Sequence, residues 1–463
     1  LARYDYLGLQ PEESESKLAA LKKLNPNQLH FTTISATETC WSWYSDELYK
    51  AVMNKVPSEW FLTQQGSKLS ADVDETKTTI SVETVTDGNG QPLFAAGDSV
   101  TCGFESMLVK SVNTAAKTLE VERGFYRSAK VHSSGERIAA HIVYWPGSWV
   151  MNLSTMCPSV DVGNGSEKWG DWAVREFIPA FFSNQRDGYI NDRLESTQSG
   201  LLVTYGNYAR NIDPDCSNVA VSDYSAFDDA WYNGIRKTLP AIRSFLSGKP
   251  LIGNALGAYN DLLNGTIWES CPGNWSDSVP ETTEGWKDVI LGNEGLGQPG
   301  YISVSKSGFS PNYSLVETYQ LEEYQERDVL LNIVHAASFK LDYQRMRFGL
   351  TTALLGNGFF SYELNTNGHG SLGLFWFDEY DNAGKGKGYL GKPVNDAFVV
   401  SNGVYRRDFN NGIVLCNPTD NSVVIDLKGS FTLIKGTQVP DINTGKTVTQ
   451  LTLAPHDGRI LLK

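Results

Sequence analysis

The chain has 463 residues, 41% apolar and 20% charged, which is long for one ordinary domain and apolar enough to exclude extensive disorder. Its net charge of −14, with no Lys/Arg-rich run, excludes a nucleic-acid partner. No apolar stretch reaches the roughly 18–20 residues that a membrane span needs.

In chain order, Ala2–Leu7 reads as a strand, and Pro11–Leu24 as an amphipathic helix with Leu at 18, 21 and 24. Gln28–Ile34 is a second strand, and Ser45–Val56 a helix. Trp60-Phe-Leu-Thr is a candidate third strand. Such strand–helix alternation indicates a parallel sheet. From 67 to 140 the texture changes to short β pieces separated by Gly and Asn turns, read as a small all-β module inserted into a loop.

Alternation then resumes. Trp169–Phe182 is helical, Asp187–Asp192 is a strand, Tyr224–Leu246 is a long helix, and Lys249–Asn254 is a strand. Thr266–Glu269 and Tyr301–Ser305 are further strand candidates, Tyr324–Leu355 is assigned to helix, and Gly358–Glu363 is an eighth strand. After residue 400 six short apolar runs predict an antiparallel β tail. The expected fold is α/β: a (β/α)8 TIM barrel formed by 1–66 and 141–399, the inserted β module at 67–140, and a C-terminal β-sandwich domain at 400–463.

Two of these strands end in carboxylates, Asp192 on the fourth and Glu269 on the sixth. All strand ends of such a barrel open on one face, so acids distant in sequence can meet there. A carboxyl pair without a Gly-x-Ser-x-Gly nucleophile elbow points to glycoside hydrolysis. Asp192 is the candidate nucleophile or base, and Glu269, beside the Trp268 indole, the candidate general acid/base. Each acid has a plainer reading, a helix N-cap or loop anchor for Asp192 and a salt bridge for Glu269. A carboxyl separation of about 5–5.5 Å would mean retention, and about 6.5–9.5 Å inversion.

Asn191, Arg193, Asn254, Glu38 and Glu363 are candidate hydroxyl ligands, and Trp145, Trp149 and Trp268 candidate sugar contacts; core packing and loop anchoring are their structural alternatives. Asp378 and Glu379, after an aromatic run, are weaker candidates. Asn211-Ile-Asp-Pro-Asp215 has some look of a calcium loop, but lacks the Gly and distal Glu of an EF-hand. The six cysteines form no CxxC and no close Cys/His cluster in sequence, and no HExxH occurs, so neither a metal nor another cofactor is expected. The expected partner is a carbohydrate substrate, and the expected location extracellular or at the cell surface. The rival readings are a carbohydrate-binding protein that has lost catalysis, and a barrel hydrolase for another bond.

Several segments carry a family resemblance: Trp145-Pro-Gly-Ser-Trp-Val-Met-Asn, Asp187-Gly-Tyr-Ile-Asn-Asp, Leu251-Ile-Gly-Asn, Arg345-Met-Arg-Phe-Gly-Leu-Thr-Thr-Ala-Leu-Leu-Gly-Asn-Gly and Val404-Tyr-Arg-Arg-Asp-Phe-Asn-Asn-Gly. They resemble the barrels of hypothetical glycosidase family fifteen, which are distinct from the glucoamylases. The resemblance spans nearly the whole chain and implies a TIM barrel and carbohydrate hydrolysis. That family tends to read Asp-Gly-Ile-Phe-Tyr-Asp-Asn at the fourth strand. Asn191 and Arg193 depart from the pattern and Asp192 keeps it. A looser, fold-level analogy is to the α-galactosidase group, whose nucleophile follows strand four and whose acid/base follows strand six.

Overall fold

The computed structural model describes residues 1–463 apart from 12, 42, 44–45, 145–146, 201–209, 256, 270, 272–282, 294–297, 322–324, 328–332, 337–340 and 366–374, with backbone alone at 320–321, 325–327, 333–336 and 364–365. Two compact units emerge, Ala2–Lys249 and Pro250–Lys463, the second also claiming Leu1.

In the first unit β1 (Tyr6–Leu9) and β3 (Gly188–Asn191) flank β2 (Leu29–Ile34), all parallel. Parallel neighbours need a crossover. Helix α1 (Glu15–Leu24) supplies the first, with Leu18 buried. Strand β3 is buried along its whole length, as expected of a parallel strand covered on both faces. Helix α2 (Tyr224–Leu246) is capped by Asp223, whose carboxylate accepts from the Ala226 N–H at 3.0 Å. Phe227, Trp231, Ile235, Leu239, Ile242 and Leu246 form its buried stripe. Gly234 lies so close to the Leu153 carbonyl that a Cβ would sit 1.8 Å from its oxygen.

Between β2 and β3 runs a six-stranded antiparallel sheet, in the order Ser67–Lys68, Arg137–Ala140, Ser99–Cys102, Glu105–Asn113, Thr118–Glu122 and Thr79–Ser81. Its alternating inward residues, among them Ile80, Val100, Met107, Leu119 and Ile138, make a core of their own.

The second unit opens with β4 (Leu251–Gly253), linked by a parallel Gly253–Thr266 bridge to the segment that enters β5 (Ile267–Trp268). Strands β5, β6 (Leu315–Leu321) and β7 (Phe359–Asn365) form a parallel sheet with β6 central. Helix α3 (Tyr343–Leu355) connects β6 to β7 and packs closely on β6 at Gly349, where a Cβ would lie 2.2 Å from Thr318 Oγ1. The tail is a six-stranded antiparallel sheet whose strand Val423–Leu433 shifts register between Asp426 and Phe431. One of its clusters comprises Val404, Ile413, Leu415, Leu427, Leu453 and Leu461.

The fold is therefore mixed α/β, with three differences from the expected elements. Ser58–Trp60 is a 3-10 turn, after which Phe61 and Thr63 make isolated antiparallel bridges to Met151 and His141, so no regular parallel third strand forms there. Tyr301–Val304 is helical. Its two buried residues, Tyr301 and Val304, stand three apart, a spacing that one helical turn satisfies. The helix expected over Tyr324–Leu355 spans only Tyr343–Leu355; Gln325–Arg327 and Ile333–Ala336 within that range pair as antiparallel strands, and the parallel strand Leu315–Leu321 precedes them. No helix of the described residues is long and apolar enough to cross a membrane.

Candidate active site

Asp192 follows β3 directly and is half-buried. Its carboxylate Oδ1 accepts from the Arg193 N–H at 2.9 Å, and its carbonyl accepts from Ser35 Oγ at 3.1 Å and Thr37 Oγ1 at 3.2 Å. These bonds fasten the tip of β3 to the loop after β2. Arg193 holds φ = 58°, a left-handed conformation uncommon outside glycine. Its guanidinium carbon sits 4.2 Å from the Tyr144 ring centre, with Nη1 3.1 Å from Glu195 Oε1. Burial works against the guanidinium charge, but Glu195, Glu38 and Asp192 outweigh it and raise the pKa. The Glu195 side chain keeps 36% of its surface, yet it lies among enough protein atoms that desolvation raises its pKa too.

Glu38 opens the short strand Glu38–Cys40 and is buried. The Cys40 thiol is pushed well up, first by burial and then by the charges of Glu38 and Asp192. Acids that follow β3 and β2 thus act on one half-buried arginine. Such left-handed backbone among buried charges is a common feature of functional sites. Asn191, by contrast, is fully buried: its Oδ1 accepts from Tyr189 Oη at 3.0 Å and its Nδ2 donates to the Asp192 carbonyl at 3.0 Å. The sequence suggested a hydroxyl ligand there; the structure gives a loop builder.

In the second unit Glu269 follows β5 and is half-buried. Trp268 pairs with Val316, and the Cys271 N–H donates to the Glu317 carbonyl at 2.9 Å, which brings Glu269 level with Glu317. Across the next pair Glu317 faces Ser361 and Tyr319 faces Glu363. Paired strand residues share a face, as do residues two apart, while successive residues point to opposite faces. Glu317, Tyr319, Ser361 and Glu363 therefore line one face, while Thr318 meets α3 on the other.

Tyr319 Oη donates to Glu317 Oε2 at 2.8 Å, and Ser361 Oγ to Glu363 Oε1 at 3.2 Å. Glu317 and Glu363 are only 8% and 9% exposed. Burial first, then the charges of Glu317, Glu269 and Glu363, push the Tyr319 phenol well up, so it remains a donor at any working pH. Glu317 and Tyr319 escaped the sequence reading. Their signal is the run Leu315-Val-Glu-Thr-Tyr-Gln-Leu, alternating and β-rich, which forms the strand that the sequence reading places at Tyr301–Ser305.

Other candidates prove to be structural. Trp149 is fully buried, stacks on His141 at 4.3 Å and donates Nε1–H to Ser99 Oγ at 2.7 Å. Trp268 is buried with its ring edge-on to Tyr301 at 5.4 Å. Neither offers a face to a sugar. Trp145 lies outside the described residues, and Asn254 follows β4, half-buried. Asp213 is paired with Arg137 at 2.7 Å and accepts from the Asn218 N–H, which makes that loop an ion-paired turn rather than a calcium loop. Asp378 accepts from the N–H groups of Thr437 and Gln438, and Glu379 from Asn443 Nδ2, so this segment anchors a loop of the tail.

The inserted sheet holds a cluster that sequence spacing did not reveal: ligand-type atoms of Cys102, His132 and Glu136 lie within 4.8 Å of one another. Both imidazole nitrogens already face carboxylates at 3.0 Å, Nδ1 toward Glu136 and Nε2 toward Glu105. Burial opposes the imidazolium, but the two glutamates prevail and raise the His132 pKa. Charge pairing holds His132 between the two glutamates, and the Cys102 thiol donates to Glu136 at 3.7 Å.

Compared with curated proteins by sequence, the chain matches none. Among solved structures it is similar to cyclic alpha-maltosyl-(1→6)-maltose hydrolase from Arthrobacter globiformis, solved with maltose, at 10% identity and a TM-score of 0.34, covering 97% of this chain and 79% of that one. It is also similar to the debranching enzyme of Nostoc punctiforme, soaked with acarbose, at 9% identity and a TM-score of 0.39, covering 100% and 86%. Likeness at this level bears on neither substrate nor site. The family model of hypothetical glycosyl hydrolase family 15 matches residues 129–413, more than half of the length, and the chain belongs to that family.

Proposed function

We propose that the protein hydrolyses O-glycosidic bonds of an oligo- or polysaccharide, with Glu269 as general acid/base and Asp192 as nucleophile or base. The observation that carries this reading is family membership joined to half-buried carboxylates directly after parallel strands β3 and β5. Glu269 donates its proton to the glycosidic oxygen while the bond from that oxygen to the anomeric carbon breaks, its electron pair leaving on oxygen. The Asp192 carboxylate attacks the anomeric carbon in a retaining enzyme, or takes a proton from the attacking water in an inverting one. Glu38, Asn254 and Glu363 serve as hydroxyl ligands. The segments 1–66 and 141–399 belong, in this reading, to one (β/α)8 barrel of an extracellular or cell-surface enzyme.

The test is a broad polysaccharide panel with sizing of the products, repeated with Asp192→Asn and Glu269→Gln. Wild-type release of reducing ends, lost in both variants without loss of folding, is the expected result. Near-wild-type turnover by either variant refutes its assignment. Glycan affinity without release of reducing ends would mark a binding protein instead. NMR of the first-formed anomer decides between retention and inversion.

A further inference from the structure

In the inserted sheet Cys102 and Glu105 form the last antiparallel pair of a tight hairpin, so their side chains share a face. Gly103 holds the turn between them at φ = 51°. A Cβ there would lie 3.4 Å from Glu136 Oε2 and 3.5 Å from His132 Nδ1, so the turn 132–136 packs directly against the hairpin. Val73 fastens that turn by exchanging both backbone hydrogen bonds with His132, at 2.8 and 2.9 Å.

Three side chains of different chemistry converge at this contact. Cys102 Sγ lies 3.7 Å and His132 Nδ1 3.0 Å from Glu136 Oε2, and the ligand-type atoms of the three all fall within 4.8 Å of one another. Zinc bonds of about 2.0–2.3 Å at tetrahedral angles set ligand atoms about 3.4–3.6 Å apart. Only small side-chain adjustments separate the two arrangements.

The other polar atoms of these residues are engaged elsewhere. His132 Nε2 faces Glu105 Oε2 at 3.0 Å, and Glu105 is itself held by Arg123 and by the Gly124 and Lys130 N–H groups. A carboxylate placed behind a histidine keeps the ring proton on the far nitrogen and leaves the near one as a ligand. Glu136 Oε1 accepts from the Ser133 N–H at 2.8 Å, which aims Oε2 at the cluster. Cys102 and His132 are buried, while the Glu136 side chain keeps 37% of its surface. Solvent therefore reaches the cluster from one side, where a water can be the fourth ligand.

We propose that Cys102, His132 and Glu136 bind a zinc ion that ties the hairpin to the turn 132–136. Thiolate and imidazole suit zinc, whereas calcium and magnesium take oxygen ligands. Entry of the ion displaces the thiol proton and the Nδ1 proton to solvent. Cys102 and Glu136 stand 34 residues apart, so no short spacing in the sequence announces the site. The proposal does not depend on glycan hydrolysis.

The test uses the full-length protein, stripped with a chelator, dialysed, and titrated with zinc by calorimetry and with cobalt by absorption. Wild type should take up one zinc ion per chain, and saturating zinc should raise its melting temperature by several degrees. Cobalt should give tetrahedral d–d bands together with thiolate-to-cobalt charge transfer. Cys102→Ser should abolish the charge transfer and weaken zinc binding by more than the about 10–100-fold that loss of an outer partner costs. Cys216→Ser, at a half-buried thiol elsewhere, should change neither. No zinc uptake by wild type, no charge transfer, or charge transfer that persists in Cys102→Ser overturns the site. Should Cys102→Ser fail to fold, Glu136→Gln decides, and wild-type zinc affinity in that variant overturns the site equally.

Discussion

Buried glutamates occur both in the inserted sheet and in the parallel sheet of the second unit, and the two regions anchor them by different chemistry. Glu105 accepts from Arg123 Nε and Nη2, from the Gly124 and Lys130 N–H groups and from His132 Nε2, at 2.7–3.0 Å. Burial alone would raise its pKa, yet these donors bring it down to about 2. Glu317 and Glu363 instead take hydrogen bonds from the neutral hydroxyls of Tyr319 and Ser361. A carboxylate locked between cations is spent on structure. Glu317 and Glu363 lie within parallel strands, and the hydroxyls that reach them carry no charge.

Substitution should separate the two regions, the largest effect first. Glu269→Gln is expected to lower turnover about 10²–10⁴-fold on whichever glycan the wild type cleaves, with thermal unfolding unchanged. Glu105→Gln should do the reverse. It leaves Arg123 without its carboxylate and His132 with Glu136 alone, at a cost of about 3–5 kcal/mol, visible by calorimetry as early melting of the inserted sheet. Comparable melting of both variants would erase the distinction.

The pH dependence sharpens it further. Glu105 has a folded pKa below its unfolded value, so its stabilisation is present above about 4.5 and fades as pH falls toward about 2. His132 has a raised folded pKa, so its contribution is complete below about 6.5 and fades as pH climbs through the folded value. Urea unfolding across pH should therefore find these contributions greatest between about 4.5 and 6.5. Glu105→Gln should flatten both limbs.

A smaller effect is expected from Tyr319→Phe, which removes one hydrogen bond worth about 1 kcal/mol. Because Glu317 then loses its oriented donor, turnover should fall several-fold while the denaturation midpoint moves only slightly. Turnover equal to wild type would detach Glu317 and Tyr319 from the chemistry.

Much of this was legible in the residues. The 67–140 stretch showed its short alternating strands because antiparallel pairing joins neighbours in sequence. The helix Tyr224–Leu246 was readable to the residue, since its apolar stripe and Asp223 cap are local features. Strand-tip positions of Asp192 and Glu269 followed from short apolar runs that end in an acid. The failures have equally specific causes. Tyr301–Val304 imitates a strand because so short an apolar run, four residues long, also fits one helical turn. Asn191, Trp149 and Trp268 looked like ligands by type, and their burial depends on partners such as Ala36, Ser99 and Tyr301 that lie far along the chain.

The sequence by itself determined the alternation of strands and helices, the two β-rich segments, and the acids that end β3 and β5, because hydrophobic period and turn chemistry act over a few residues. Only the tertiary structure decided that Glu317 and Tyr319 share a face with Glu363, and that Glu105 meets Arg123, His132 and the Gly124 and Lys130 N–H groups. Those outcomes depend on register between strands about forty residues apart and on loop anchors fixed from other strands, which no local pattern encodes.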